Sequence, residues 1–199
     1  MKQAGVIALD LATTTGWAVH RPGMPRPFFD AFVLGGGPGS IGQPCSELEA
    51  WLNEMWDAFE PAGGISHFVF EAQHIADNMN PQNAYRLIGL GAIVEKFAYE
   101  KKALCYTCDI ATWRKHFLGR GSGFKREKIW NEKKGKFVKG PYLPGEDPKE
   151  LAIQRCEQYG WHTDVHDAAE ACGILDYMLS IIPDYHRPWR DRNLMGGGR

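Results

Sequence analysis

Val6-Ile7-Ala8-Leu9-Asp10-Leu11-Ala12-Thr13-Thr14-Thr15-Gly16-Trp17-Ala18-Val19 is the stretch whose reading decides the fold. Four consecutive apolar residues end in a carboxylate, a short polar turn follows, and a second apolar run begins at Trp17. That order reads as strand, tight turn, strand. Phe28 to Leu34, after the Pro-rich link at 22–27, reads as a third strand that Gly35-Gly36-Gly37-Pro38-Gly39 terminates. Three antiparallel strands are therefore expected to open the domain.

Downstream, strands and helices alternate. Ser46-Glu47-Leu48-Glu49 matches a capping box, and Leu48, Trp51, Leu52, Met55, Trp56 and Phe59 supply the apolar stripe of the helix it would start. Phe68-Val69-Phe70 ends in Glu71 and suits a central strand buried on both faces. Asn80-Pro81 opens a second helix running to about Lys101, with proline where its missing N–H costs least. Its apolar residues wrap more than one face, so it is either deeply buried or shared with a partner. Ala103 to Cys108 reads as another strand, Asp147-Pro148 caps a helix to about Tyr159, and a last helix runs from about Val165 to Ile182. Between them, Asp109 to Gly145 has weak periodicity and reads as a long functional loop. The pattern as a whole predicts an α/β domain, a mixed sheet covered by helices.

A chain of 199 residues has room for one well-buried domain, and 44% apolar with 24% charged residues is a globular composition rather than a disordered one. Five cysteines, an odd number with no signal peptide in view, do not make a disulfide framework, and a reducing cytoplasm is expected. Cys105 and Cys108 form a single CxxC without a second pair of soft ligands, so structural cysteines are expected rather than zinc. Charge interrupts every apolar run before it reaches transmembrane length, so no membrane partner is expected.

Net charge is only -1, but it is unevenly spread. Fourteen Lys or Arg face six Asp or Glu between Lys101 and Arg155. Lys125, Arg126, Lys128, Lys133, Lys134, Lys136, Lys139 and Lys149 are the candidates for holding a phosphate backbone. Phe124, Trp130, Phe137 and Tyr142 interleave with them, either stacking on unpaired bases or packing under the loop. Arg187, Arg190, Arg192 and Arg199 give the C-terminus a smaller basic surplus.

Four carboxylates carry the candidate chemistry. Asp10 and Glu71 each end an apolar strand, and Asp167 and Glu170, three apart at the start of the last helix, share one helical face. If the two strands are neighbours, all four converge. Oxygen-only ligands select hard cations such as Mg²⁺ or Mn²⁺, and a pair of ions activates water and stabilises the leaving oxygen of a phosphodiester. Each acid also has a structural reading, because helix first turns favour carboxylates and strands often end on a polar residue.

Residues 8–19, Phe68-Val69-Phe70-Glu71, the stretch from Lys149-Glu150-Leu151-Ala152 to Trp161, and His166-Asp167-Ala168-Ala169-Glu170-Ala171 resemble the RuvC-like Holliday junction resolvases, phage and prophage members above all. The resemblance implies an RNase H-like fold: a five-stranded mixed sheet, first three strands antiparallel, with helices on both faces. Residues 1–183 would form the nuclease domain, with a basic loop-rich segment at about 119–145, and 184–199 a basic C-terminal tail. By motif, Asp10, Glu71, Asp167 and Glu170 match the catalytic, metal-binding acids, the last with Glu where the family usually has Asp. Asp164 is the reserve ligand and His166 an accessory ligand or proton-transfer group.

The resemblance further implies two Mg²⁺ ions replaceable by Mn²⁺, in-line attack of activated water leaving a 5'-phosphate and a 3'-hydroxyl, and branched DNA as substrate. It implies a homodimer, for which the helix from 81 to 101, with Gly89 and Gly91 permitting close approach, is the candidate interface. Three other readings stay open. Asp10-Leu11-Ala12-Thr13-Thr14-Thr15-Gly16 also looks like the first phosphate loop of sugar kinases and actin-like ATPases, but those enclose ATP between two such domains, so no nucleotide cofactor is expected here. A non-catalytic branched-DNA-binding module of the same fold is the second, and a nuclease acting on forks, flaps or structured RNA the third.

Overall fold

Alternation along the first strand divides the core. In the computed structural model, which describes residues 4–37, 40–75 and 79–190, β1 (Gly5–Asp10) turns Val6 and Ala8 to one side of a sheet and Ile7 and Leu9 to the other. β2 (Thr14–His20) pairs antiparallel with β1, and β3 (Phe28–Val33) antiparallel with β2. On the opposite edge of β1 lies β4 (Ile65–Glu71), parallel to it, and β5 (Leu104–Cys108) is parallel to β4. The order β3-β2-β1-β4-β5 is the mixed sheet the sequence predicts, its first three strands antiparallel.

α1 (Gly42–Phe59) and α2 (Pro81–Glu100) cover the face that carries Ile7, Leu9, Phe68 and Phe70. α1 begins four residues before the expected capping box, and its N-cap, Ile41, makes no side-chain cap. Pro44 sits in the first turn, where proline is tolerated, so the helix extends through it. Glu49, the glutamate of the expected box, instead pairs with Lys96 of α2 at 2.7 Å, and Glu47 accepts hydrogen bonds from the Gly35 N–H at 2.5 Å and Gln43 Nε2 at 2.8 Å. In α2, Asn80 does cap, accepting from Gln82 N–H at 2.9 Å.

Gly89 and Gly91, expected to admit a partner subunit, face their own chain instead. A β-carbon at Gly91 would lie 3.2 Å from the Phe70 ring, and one at Gly89 3.2 Å from Cys45 Sγ of α1. The two glycines let α2 settle on the sheet and on α1.

The other face holds α3 (Ile110–Leu118), α4 (Pro148–Gln158) and α5 (His166–Ile181). α3 and a β-hairpin, β6 (Arg126–Asn131) with β7 (Lys136–Tyr142), occupy the stretch expected to be a loop. α3 has nine residues and buries only Trp113 and Phe117, one turn apart, which is too little periodicity to read from sequence.

Residues 184–190 are likewise no tail. Tyr185 and Trp189 are buried, and Trp189 Nε1 donates to Asp176 Oδ1 at 2.8 Å. Arg187 and Arg190, part of the C-terminal basic surplus, pair with the fully buried Asp176 of α5, since its charge needs cationic partners. Arg192 and Arg199 lie outside the described residues.

All five cysteines are free thiols, and no helix among the described residues is long and apolar enough to cross a membrane.

Candidate active site

Asp10 is the last residue of β1 and Glu71 the last of β4, and because these strands are parallel neighbours both carboxylates emerge at the same sheet edge. α5 arrives at that edge with its first turn. Asp167 and Glu170 lie on one face of it, and single carboxylate oxygens of Asp10, Asp167 and Glu170 all lie within 4.8 Å of one another. Three acids from opposite ends of the sequence thus converge.

Glu71 stands beside this trio but is held separately. Its Oε2 accepts a 2.7 Å hydrogen bond from Trp113 Nε1. The Trp113 ring is fully buried against α5 at Gly173, where a β-carbon would lie 2.7 Å from the ring. Glu170 is buried and sits between two cations: Arg114 Nη2 reaches its Oε1 at 2.6 Å, and Lys149 Nζ lies 3.5 Å from its Oε2. The same ammonium contacts Asp167 Oδ1 at 3.2 Å.

Lys149 is placed by the start of α4, where Asp147 accepts a 2.9 Å hydrogen bond from the Lys149 N–H and orders the first turn.

Electrostatics follow from this crowding. Burial pushes the Asp10 carboxyl well above the usual aspartate range, and the neighbouring charges of Glu170, Glu71 and Asp167 push it further, against a smaller opposing pull from Lys149. Burial also raises Glu71, with the Trp113 hydrogen bond working against it. Burial works against the charged form of Lys149, but Glu170 and Asp167 outweigh it and leave its pKa raised. Carboxylates that repel one another in a partly desolvated site are stabilised by a bound cation, and an all-oxygen donor set fits a hard divalent one. These residues therefore fit a divalent metal ion.

Two sequence candidates stand apart from the trio. Asp164 is exposed outside the cluster, and His166 Nε2 faces Glu150 Oε1 at 3.7 Å. Conversely, Trp113 and Arg114 touch the acids although the sequence offered no sign of them. Their signal was the helix they ride on, which its short length concealed.

Lys125, Arg126, Lys128, Lys133, Lys134, Lys136 and Lys139 are all exposed, on or beside the β6–β7 hairpin. The hairpin's stem is braced: Arg120 pairs with Glu146 at 2.7 Å and covers the Phe124 ring at 4.6 Å, while Glu146 also accepts from the Lys125 N–H at 3.2 Å.

No protein-family model and no curated protein matches the chain by sequence. Solved structures do match. The chain is similar to Thermus thermophilus RuvC in complex with Holliday junction substrate, with a TM-score of 0.57 and 16% identity over 86% of this chain and 90% of that one. It is similar to the Thermus thermophilus RuvC structure (TM-score 0.52, 14% identity, 85% and 90% covered). The yeast mitochondrial Holliday junction resolvase Ydc2 is similar too, with a TM-score of 0.53 and 11% identity over 88% of this chain and 77% of that one. The chain has the RNase H-like fold of these resolvases, as the sequence motifs imply.

Proposed function

We propose that this chain is a divalent-metal-dependent, structure-selective DNA endonuclease that resolves four-way junctions by paired symmetric nicks. The observation that carries the reading is the convergence of Asp10, Asp167 and Glu170 within 4.8 Å at one sheet edge, in a fold similar to a resolvase bound to its junction. Asp10, Asp167 and Glu170 would hold a Mg²⁺ or Mn²⁺ ion, with Glu71 beside them as the further carboxylate a second ion would use. Bound there, the metal supplies the charge that activates water and stabilises the leaving oxygen of a phosphodiester.

The chain's own residues do the rest. Trp113 orients Glu71, Arg114 fixes Glu170, and Lys149, half exposed at the rim, presents positive charge to an incoming phosphate. The exposed cations of the hairpin hold the backbone further out, and their contacts position without reading sequence. Two symmetric nicks require two such sites, so the active species is a homodimer. Tyr85 and Ile88, exposed on α2, offer the apolar surface for it.

The test is Mg²⁺-dependent cleavage of an immobile four-way junction, a three-way fork and a linear duplex of matching sequence, with Asp10→Asn as control. Paired nicks confined to the four-way junction, abolished by Asp10→Asn with binding retained, support resolution. Equal cutting of forks widens the activity to debranching. Tight junction binding without cutting in Mg²⁺ or Mn²⁺ makes the chain a non-catalytic branched-DNA-binding module. Light scattering that finds only monomer, with and without junction DNA, removes the dimer.

A further inference from the structure

Near the turn of the β6–β7 hairpin two large aromatic side chains stand in solvent. Trp130 is 53% and Phe137 63% exposed. They are cross-strand partners whose ring centroids lie 5.2 Å apart at 71°. Apolar surface left in water costs roughly 25 cal/mol per Å², and no described residue covers these rings to that extent.

Strand alternation sorts the hairpin's side chains. Arg126, Lys128 and Trp130 fall on one face of β6, and their partners Tyr142, Lys139 and Phe137 share it, a register irregularity between Arg126 and Lys128 returning Tyr142, three residues from Lys139, to this face. The Arg126 guanidinium lies 3.7 Å from the Tyr142 ring centroid. Gly140 identifies the reverse face: a β-carbon there would lie 2.8 Å from Ile129 Cδ1 and 3.2 Å from Glu127 Cβ. The acid of β6 is therefore on the back. The front carries three cations and three aromatic rings, and Arg126, Lys128, Phe137, Lys139 and Tyr142 line a cavity of about 810 Å³ that Glu127 also borders.

We propose that this face is a stacking platform for unpaired DNA bases. Trp130 and Phe137 stack on nucleotides released from the duplex beside a branch point, while Arg126, Lys128 and Lys139 hold the flanking phosphates. Charge complementarity selects the occupant. A neutral apolar partner would bury three cations against the single carboxylate of Glu127, which is costly, whereas a polynucleotide brings phosphates for the cations and π-faces for the rings. Intact duplex brings only the phosphates, so the rings make the face selective for unpaired nucleotides. The inference rests on the branched-DNA reading above and extends it to the feature of the branch that is recognised.

The experiment measures equilibrium binding of the full chain to linear duplex, to the same duplex with a three-nucleotide gap, and to a four-way junction, with 2-aminopurine at the unpaired or branch-point position. Trp130→Ala with Phe137→Ala should weaken binding to gapped and four-way DNA roughly tenfold to hundredfold and abolish the 2-aminopurine response. Duplex affinity, the salt slope and the melting temperature should change little, and Trp130→Phe with Phe137→Tyr should restore binding. Arg126→Ala with Lys128→Ala and Lys139→Ala should instead flatten the salt dependence on all three DNAs.

Unchanged gapped and junction binding in the aromatic variant overturns the proposal, as does an equal loss on duplex. Dissociation of a dimer by the aromatic variant, with DNA affinity kept, reassigns the face to a contact between copies. If the unmodified chain shows no preference for branched over linear DNA, the branched-DNA reading itself fails. A preference that survives in the aromatic variant defeats only the stacking platform.

Discussion

The backbone of Asp167 passes so close to Gly16 that a β-carbon on that glycine would lie 1.9 Å from the Asp167 carbonyl oxygen. Gly16 is the β2 partner of Asp10 in the antiparallel ladder. The missing side chain therefore lets the first turn of α5 rest on the sheet beside the end of β1, which is what brings Asp167 and Glu170 to Asp10. The Ala168 nitrogen lies against the same position at 2.9 Å, while Gly173 farther along α5 makes room for Trp113 of α3 instead.

Gly16→Ala should force α5 away from β2. The clash is with backbone, which cannot rotate aside, so a loss of about 1–3 kcal/mol in stability is expected. A displacement of about 1 Å at the acids should cost cleavage on the order of 100-fold. Thermal melting together with junction cleavage checks both. Full activity in Gly16→Ala would mean that this contact does not set the site.

Asp10→Asn should make the metal-free protein more stable at neutral pH while removing its metal affinity. Burial and three neighbouring carboxylates raise the Asp10 pKa in the folded state, so between the ordinary aspartate pKa and the raised one the folded chain binds more protons than the unfolded chain. Stability therefore falls as pH rises through that window, and the neutral amide escapes the loss. The melting temperatures of the two proteins should differ at pH 7 and converge as pH falls through the usual carboxylate range. A lower melting temperature for Asp10→Asn at pH 7 would contradict this.

Trp113→Phe should release Glu71. Losing a hydrogen bond to a partly buried carboxylate costs about 1.5–3 kcal/mol, and the Glu71 carboxyl should rise further, since that bond opposes its desolvation. The acidic limb of the cleavage pH profile should then shift to higher pH. An unmoved limb would show that Glu71 is not among the groups that titrate with activity.

Asp176→Asn should loosen the C-terminal segment without touching the acids. Burial alone would raise this carboxyl, but hydrogen bonds from His116, Arg190 and Trp189 outweigh it and hold the pKa at about 2. Its folded pKa lies below the unfolded value of 3.8. The stabilisation is therefore complete above about pH 4 and is lost as pH falls through about 2, amounting to about 2 kcal/mol. Removing the charge leaves Arg187 and Arg190 unpaired and should cost roughly 3 kcal/mol. Urea titrations at pH 7 and pH 2 should show that difference shrinking at the lower pH.

Much of the scaffold was legible because the relevant signals are local. Apolar runs ending in Asp10 and Glu71, the Asn80 and Asp147 caps, and the acidic pair three apart in α5 each need only a few neighbouring residues to be read. The capping box at Ser46 misled because Pro44 permits an earlier start, a choice made by packing rather than by the motif. The hairpin escaped because its strands bury almost nothing, so the alternation of Arg126, Lys128 and Trp130 with their neighbours carries no hydrophobic contrast.

The sequence by itself determined the five strands of the main sheet with α1, α2, α4 and α5 in their order, the four carboxylates as candidates and the basic segment, since periodicity and capping act within one element. Tertiary structure alone decided which groups meet. Trp113 and Arg114 reach Glu71 and Glu170 across 42 and 56 residues of chain, and Trp189 returns to Asp176 to turn an expected tail into core. Such pairings depend on which faces of distant elements pack together, and a glycine without a β-carbon, as at Gly16, sets that distance with no signature in its own neighbourhood.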